Sequence, residues 1–180
     1  MPAGPEEILT FWFQEAGPKR WFKRSDDFDH QIRERFFTAW NSVAAGECSH
    51  WRSYPDGRCA EIIVLDQFSR NLFRNDPRAF SQDGMALILA QWAVATGDDL
   101  AMTADQRYFT YMPYMHSESL LIHEESLRLF TELGNAIALK YAIRHRDVLR
   151  RYGRYPARNA ALGRDSTPQE RAHLSAGGAF

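Results

Sequence analysis

The chain has 180 residues, of which 44% are hydrophobic and 13% aromatic, so it is long enough to bury a core and too apolar to remain disordered. Its 22 Lys and Arg residues nearly balance 23 Asp and Glu residues, and the net charge of -1 provides no global field that would draw the protein to nucleic acid or to an acidic membrane. The longest apolar runs, such as residues 62–65, are far shorter than the roughly 20 residues that span a bilayer.

The beginning of the chain predicts a cytoplasmic protein. Pro2, Pro5 and Glu6 stand where a secretory signal peptide would need basic residues followed by an apolar stretch. In a secreted protein Cys48 and Cys59 would be candidates for a disulfide, but in a reducing compartment we expect two free thiols.

Helical periodicity begins near the start of the chain and alternating strand patterns are hard to find. Pro5 is expected to open a first helix, which carries Ile8, Leu9, Trp12 and Phe13. The next helix has apolar residues spaced by three or four positions and ends near Gly46; these residues are Phe28, Ile32, Phe36, Ala39 and Val43. Residues 47–57 contain Pro55 and an Asp56-Gly57 turn signal, which predict a loop.

A central helix is predicted from Arg58 onward, because its apolar face is widened by neighbouring Ile and Val residues until little of it can face water. Asp76 and Pro77 are expected to cap and open a further helix that ends at Gly97. Its expected buried residues are Met85, Ile88, Leu89 and Trp92.

In the second half, a short aromatic segment over residues 104–112 is expected to end at Pro113. Helices over residues 117–133 and 136–152 are separated by a glycine and predict a helical hairpin. Thr167 and Glu170 form a capping-box pattern that opens one more helix. The sequence therefore predicts an all-α fold of about seven to eight helices, built from antiparallel pairs in a single domain over residues 1–180.

Five polar side chains are expected to share one face of the central helix, which is otherwise apolar. Asp66, Arg70 and Arg74 are spaced by four residues, and Gln67 and Asn71 each stand one position further on. Such a ridge is either a hydrogen-bonded network that supports neighbouring helices or the wall of a binding pocket.

Two histidines are candidates for chemistry. His145 falls on the apolar side of its predicted helix, where an imidazole needs a hydrogen-bond partner or borders a cavity. His116 precedes Ser117 and Glu118 at a helix junction, where a base next to a carboxylate is possible and a simple cap is the alternative. His123 lies on an apolar stripe and is expected only to pack.

Residues 144–164 contain seven arginines and a single acid, Asp147. Arg154, Arg158 and Arg164 follow Gly153 in a predicted loop that also carries Asn159, and guanidinium groups on a constrained loop suit a phosphate or a carboxylate. The alternative is that these arginines pair with helix carboxyl ends and with acids such as Asp66 and Glu118.

Cofactor motifs are absent from the sequence. It contains no His-Glu-x-x-His pattern, no phosphate-binding Walker loop and no Gly-x-Gly-x-x-Gly turn. We therefore expect neither a metal nor a nucleotide cofactor, and we do not expect nucleic acid as a partner because no binding motif for it is recognisable.

Taken together, these residues resemble the bacterial domain-of-unknown-function family 924 over nearly the whole chain. The resemblance rests on Phe11-Trp12-Phe13, Trp21-Phe22, residues 65–71, Ala79-Phe80, His116-Ser117-Glu118, His145, residues 153–159, residues 162–164 and Ser166-Thr167. It implies a fold similar to the tetratricopeptide-repeat-like superfamily, in which helix pairs stack in a right-handed array, and it implies no settled activity. Ser69 and Ala157 depart from the family pattern, which usually has proline and histidine there.

The resemblance also unites the three polar features, and the leading hypothesis is a helical protein with one composite binding site. In it, Gln67, Arg70, Asn71, Arg154, Arg158, Asn159 and Arg164 bind a small anionic molecule or an acidic peptide end. The alternative is a cofactor-independent enzyme acting on a phosphorylated or carboxylated small molecule. Its acid-base groups would be His116, His145, Asp66 and Glu118.

Overall fold

The computed structural model describes residues 2–178 and 180, and within them the chain is helical with no β-strand. Ten α-helices follow one another in the described residues. They are α1 (Pro5–Leu9), α2 (Pro18–Trp21), α3 (Asp26–Ala44), α4 (Pro55–Ile63), α5 (Ser69–Leu72), α6 (Asp83–Thr96), α7 (Ala104–His116), α8 (Leu120–Glu132), α9 (Ala136–Tyr152) and α10 (Pro168–Ser175). The predicted all-α class is confirmed, whereas a right-handed tetratricopeptide-like array stays a prediction.

The chain separates into two compact units. The first comprises Met1–Arg74 and Arg78–Pro113, and the second comprises Asn75–Pro77 and Tyr114–Phe180. The single domain expected from the sequence stays a prediction. No helix in the described part of the chain is both long and apolar enough to cross a membrane.

Aromatic side chains fill the core of the first unit. The ring of Phe36 lies between those of Phe11 and Phe68, with centroid distances of 4.8 Å and 5.2 Å, and Trp12 contacts Phe68 at 5.7 Å. All of these side chains are fully buried or nearly so. The apolar stripe predicted for α3 therefore faces the core, and so does the aromatic segment of the first helix.

Two stretches of this unit contain π-helical turns, in which the backbone bonds span one residue more than in an α-helix. Thr10–Ala16 continues α1, and Val64–Phe68 joins α4 to α5. The predicted central helix is therefore one nearly continuous rod with a widened turn in the middle, and Asp66 and Gln67 lie in that turn. Turns of this kind occur frequently at functional sites.

Both cysteines belong to the first unit, and both are buried as free thiols, as predicted. Burial raises the pKa of the Cys59 thiol to about 12, so this group stays protonated at neutral pH.

Several predicted boundaries were wrong. Pro77 opens only a short 3₁₀ turn, Pro77–Ala79, and α6 begins later, at Asp83. Ile88 and Trp92, expected to be buried, are 65% and 58% exposed. The buried face of α6 is formed instead by Ala86, Leu89, Ala90 and Ala93. These alanines, being small, allow the helix backbone to approach its neighbours closely.

Two further boundaries differ near the second unit. α7 continues through Pro113 to His116, because a proline inside a helix removes one backbone hydrogen bond without necessarily ending the helix. α8 begins at Leu120 rather than at residue 117, so Ser117 and Glu118 remain in the junction. The predicted loop at residues 47–57 is also shorter, since Ser49–Ser53 forms a 3₁₀ turn and Pro55 opens α4.

The second unit contains the predicted helical hairpin. α8 and α9 pack against each other, and Asn135 caps α9 by accepting hydrogen bonds from the Ile137 and Ala138 amides. α9 ends at Gly153, whose φ of 73° is the left-handed conformation that glycine adopts without strain. The capping box at Thr167 and Glu170 is confirmed, and it opens α10.

Gly57 provides a test of the α4 packing. A Cβ atom at this position would lie 2.1 Å from the Trp51 carbonyl oxygen, which belongs to the backbone and cannot move aside cheaply. We expect Gly57→Ala to lower the free energy of unfolding by about 1–3 kcal/mol, as overpacking does. Urea unfolding monitored by tryptophan fluorescence measures the change.

Gly84→Ala in α6 is the matched control, since nothing lies within 4 Å of its added Cβ. Alanine is the better helix former, so this variant should gain about 0.5–1 kcal/mol. Equal effects of the two substitutions would contradict the packing described for α4.

Candidate functional site

The predicted site residues are divided between the two units. Asp66, Gln67, Arg70 and Asn71 belong to the first unit. The second unit contains His116, Glu118, His145, Arg154, Arg158, Asn159 and Arg164. The expected convergence of the two groups on one site stays a prediction, and each group is described by itself.

In the first unit, Asp66 is fully buried, and its polar neighbours include Gln67 and Arg70. Its carboxylate accepts a hydrogen bond from Gln67 Nε2 at 2.5 Å and lies 3.1 Å from Arg70 Nη1. Arg70 also donates two parallel bonds to Asp83 of α6, at 2.8 Å and 3.0 Å. Arg70 therefore links the central helix to α6.

The expected ridge of five side chains on one helix face was wrong. Asn71 donates to Asp29 of α3 at 2.7 Å, and Arg74 forms an ion pair with the same carboxylate. Because α5 ends at Leu72, Arg74 lies beyond the helix and does not continue the four-residue spacing. The ridge thus separates into one group around Asp66 and another around Asp29.

In the second unit, the buried ring of Tyr155 joins several elements. Its hydroxyl donates to the Met115 carbonyl at 2.6 Å and lies 3.0 Å from His123 Nε2. The same nitrogen is 3.0 Å from the Ser117 carbonyl, which can only accept, so His123 carries its proton on Nε2. His123, expected only to pack, therefore also holds the loop after α9 in position.

Glu118 fixes the backbone of that loop. Its carboxylate accepts the Tyr155 amide at 2.7 Å and two bonds from Arg164, at 2.8 Å and 3.0 Å. Arg164 also donates to the Tyr155 carbonyl at 3.1 Å and to Asn159 at 2.9 Å. Burial acts to raise the pKa of Glu118, but the bonds from Arg164 and from the Tyr155 amide outweigh it and the pKa is lowered.

Arg154 and Asn159 are held by Glu170 of α10. Arg154 donates to both carboxylate oxygens of Glu170, at 2.7 Å and 2.9 Å, and Asn159 Nδ2 lies 3.4 Å from one of them. The Arg154 bonds, with that of the Thr167 amide, lower the pKa of Glu170 to about 2. Arg154 and Arg164 are therefore engaged by acids of the protein, as the alternative interpretation of the arginine segment anticipated.

His145 occupies a different environment from these clamped residues. It is 6% exposed, and its Nδ1 lies 2.8 Å from the Tyr141 carbonyl, so this nitrogen carries the proton and Nε2 has the free lone pair. Its ring meets Tyr155 edge-on at 5.6 Å and lies 6.1 Å from the ring of His116. Burial, followed by the positive charge that His116 can carry, lowers the pKa of His145 to about 3.

Arg158 completes this group from the loop after α9. It donates to the His116 carbonyl at 2.7 Å, and its guanidinium lies 4.7 Å from the centre of the Tyr155 ring. His116, His145 and Arg158 thus lie near one another around Tyr155, whereas their expected role in a binding site stays a prediction. His123 and Arg158 also act to lower the pKa of His145.

Three neighbours of His145 were not singled out by the sequence. Tyr155 was noted only as part of a motif, although its position between arginines in a Gly-Arg-Tyr-Pro loop was a usable signal. Arg144 lies one residue before His145, and its guanidinium is 5.7 Å from the rings of both Tyr141 and Phe180. The ring of Phe180 lies tilted against that of His145 with the centroids 3.6 Å apart, a long-range contact for which no local pattern exists.

The chemistry available to this arrangement is recognition of negative charge. His145 is neutral at physiological pH, and the side chains whose charges shift its pKa are the cation Arg158 and two histidines, whereas none is an acid. An anion placed beside it would gain from that field. Among residues 2–178 and 180, no group of three or more His, Cys, Asp or Glu side chains is arranged to hold a metal ion.

Comparison with known proteins gave two matches. The model of a family described as bacterial protein of unknown function (DUF924) matches residues 8–178. A solved structure of a protein of unknown function from Agrobacterium tumefaciens is 34% identical, with a TM-score of 0.91 over 96% of this chain and 97% of that one. No curated protein matched the sequence.

Glu118→Gln tests the clamp that holds the loop. The glutamine side chain keeps the shape of Glu118 but lacks the negative charge that pairs with Arg164 and accepts from the Tyr155 amide. The free energy of unfolding at pH 7 should therefore fall by about 1–3 kcal/mol. Urea titration measures this difference. Glu124→Gln, an exposed position on α8, is the control and should stay within about 0.5 kcal/mol of the unsubstituted protein. Equal stability of both variants would contradict the clamp.

The buried neutral His145 makes stability depend on pH. Its pKa of about 3 lies below the ordinary value of 6.5, so the unfolded chain binds this proton more readily than the folded chain does. As the pH falls from 6.5 toward 3, the free energy of unfolding therefore decreases by up to about 1.4 kcal/mol per pH unit. His145→Gln removes this group. The free energy of unfolding, measured at pH 7.5 and pH 5, should therefore fall less in the variant than in the unsubstituted protein. A parallel fall in both would show that His145 titrates normally.

Proposed function

The chain belongs to DUF924, a family of bacterial proteins of unknown function, and we propose that its second unit binds a small anionic ligand beside His145. The observation that carries the proposal is the assembly of His116, His145 and Arg158 around the Tyr155 ring, in a part of the chain with seven arginines and one acid between residues 144 and 164. Phosphate and carboxylate are the anions that guanidinium groups bind best.

The predicted ligand-binding residues divide by role in this proposal. Arg158, with His116 and His145, faces the ligand, and Arg144 adds a further positive charge from α9. Other predicted residues support the site without contacting the ligand, because their bonds to one another and to Glu170 hold the loop that carries Arg158. These residues are Arg154, Asn159, Arg164 and Glu118. Such a clamp keeps a binding group in place before the ligand arrives, which lowers the entropy lost on binding.

Gln67, Arg70, Asn71 and Asp66 are not required for this site. Arg70 joins Asp83, and Asn71 joins Asp29, within the first unit. Their expected part in a composite pocket stays a prediction.

An acidic peptide end would present the same carboxylate as a small molecule, and the proposed site requires only that group.

The enzyme alternative has less support at His145. A general base works best with a pKa near the operating pH, whereas that of His145 is lowered to about 3. The carbonyl of Tyr141, not a carboxylate, orients its ring, and the oxygens of Glu118 are bound to Arg164 and the Tyr155 amide. The catalytic roles proposed for His145 and Glu118 are therefore the weaker interpretation.

Arg158→Gln tests the anion site. Isothermal titration with inorganic phosphate and with citrate should show saturable binding to the unsubstituted protein. The variant should bind roughly 10 to 100 times more weakly, because it loses charge-assisted hydrogen bonds of about 1.5–3 kcal/mol.

Arg150→Gln removes an equal charge from an exposed position of α9 and should leave the affinity nearly unchanged. Failure of both anions to bind the unsubstituted protein, or equal weakening by the two substitutions, would overturn the proposal.

A further inference from the structure

The ring of Phe180 already occupies one face of His145. Their centroids are 3.6 Å apart with an interplanar angle of 32°, closer than the 5.6 Å and 6.1 Å that separate His145 from Tyr155 and His116. The two rings are tilted against each other in close contact, which removes apolar surface of both from water. His145 therefore has one face suited to an aromatic ring.

Phe180 is also held through its main chain. The Ala157 amide donates to the Phe180 carbonyl oxygen at 3.3 Å, one residue before Arg158. The Arg144 guanidinium lies 5.7 Å from the centre of the Phe180 ring. His145, Ala157 and Arg144 together form the seat beneath Phe180. It combines a ring surface, a backbone amide that can donate to an oxygen, and a neighbouring positive charge.

Phe180 is placed in an unfavourable backbone conformation. Phe180 is only partly buried, and its φ of 77° is a left-handed conformation that a non-glycine residue rarely adopts. Gly177, with φ of 78°, follows the end of α10, where a glycine adopts this conformation without strain. The cost of this backbone conformation offsets part of the energy of the Phe180 contacts, which favours a ligand that competes for the same place.

We infer that the seat beneath Phe180 is a subsite for a small aromatic carboxylate, and that Phe180 competes with this ligand for His145. The inference rests on the proposed anion site and specifies its ligand class. The ring of the ligand stacks on His145, and its carboxylate takes the place of the Phe180 carbonyl oxygen, between the Ala157 amide and the positive charge of Arg144 and Arg158. Only molecules in which Phe180 has left the seat can bind the ligand. The apparent affinity of the unsubstituted protein is therefore its intrinsic affinity multiplied by the fraction of such molecules.

Phe180→Ala, made in the full chain, tests this directly by isothermal titration. N-acetylphenylalanine should bind the variant at least about tenfold more tightly than it binds the unsubstituted protein, because the competitor is gone. N-acetylalanine lacks the ring and should bind more weakly to the variant than N-acetylphenylalanine does. N-acetylphenylalaninamide lacks the carboxylate and should bind more weakly as well.

Phe180→Trp keeps an aromatic competitor and is the matched control, which should behave like the unsubstituted protein. Arg144→Ala in the Phe180→Ala background should weaken N-acetylphenylalanine, while Arg150→Ala should not. The NMR shifts of the His145 ring protons give a second measurement, since the ring current of Phe180 is lost in Phe180→Ala and restored when the aromatic ligand binds.

The outcomes separate this inference from the proposed function. If phosphate or N-acetylalanine binds in an Arg158-dependent way but the phenyl ring adds no affinity, or if Phe180→Ala changes nothing, the aromatic subsite is wrong and the anion site stands. If no anion of any kind binds either protein, both fail.

Discussion

The loop that carries Tyr155 and Arg158 to His145 is tied down by the carboxylate of Glu118. This carboxylate accepts the Tyr155 amide and both terminal nitrogens of Arg164, so the junction between α7 and α8 is tied to the loop that follows α9. A carboxylate that receives bonds from a guanidinium and a backbone amide is satisfied even when it is partly shielded from water. This contact acts together with the Tyr155 hydroxyl and the Arg158 bond to the His116 carbonyl in fixing the loop that carries both residues.

That constraint divides the arginines of the second unit into two kinds. Arg154 and Arg164 donate to buried or half-buried carboxylates, and their positive charge is largely cancelled where they lie. Arg144 instead contacts the rings of Tyr141 and Phe180, and neither of these contacts cancels its charge. Arg158 donates to the main-chain carbonyl of His116, and its charge also acts on Glu118. Part of the arginine surplus visible in the sequence is therefore neutralised within the second unit, and the proposed anion site depends on the arginines near His145.

The sequence predicted those elements whose signals are local. The stripe of α3, the bounds of α9 and the capping box of α10 are specified within a few residues, and the structure contains them. Local signals failed where a distant contact decided the outcome. Asp76 and Pro77 form a good helix start, yet Pro77 opens only a single 3₁₀ turn and α6 begins at Asp83, which pairs with Arg70.

Local signals also failed to predict which face of α6 is buried. Ile88 and Trp92 are more apolar than alanine, and a stripe chosen by hydrophobicity includes them. The buried face of α6 is the one whose small side chains allow its neighbours to approach closely. The space available between two packed elements cannot be deduced from the sequence of one helix alone. For the candidate site, residue types and spacing identified His116, His145 and Arg158. The partners of these residues, Tyr155 and Phe180, required the fold.

His145 shows why the fold changes the chemistry expected of a residue. In the sequence it is a histidine on an apolar stripe, and an ordinary imidazole titrates near neutral pH. In the structure the carbonyl of Tyr141 holds its Nδ1 proton, aromatic rings exclude water from it, and the groups around it oppose a second proton. The free lone pair on Nε2 then accepts a hydrogen bond instead of taking a proton from a substrate. A histidine in that state is suited to hydrogen bonding and ring contact rather than to proton transfer, which supports the proposal of a binding site over that of an acid-base centre.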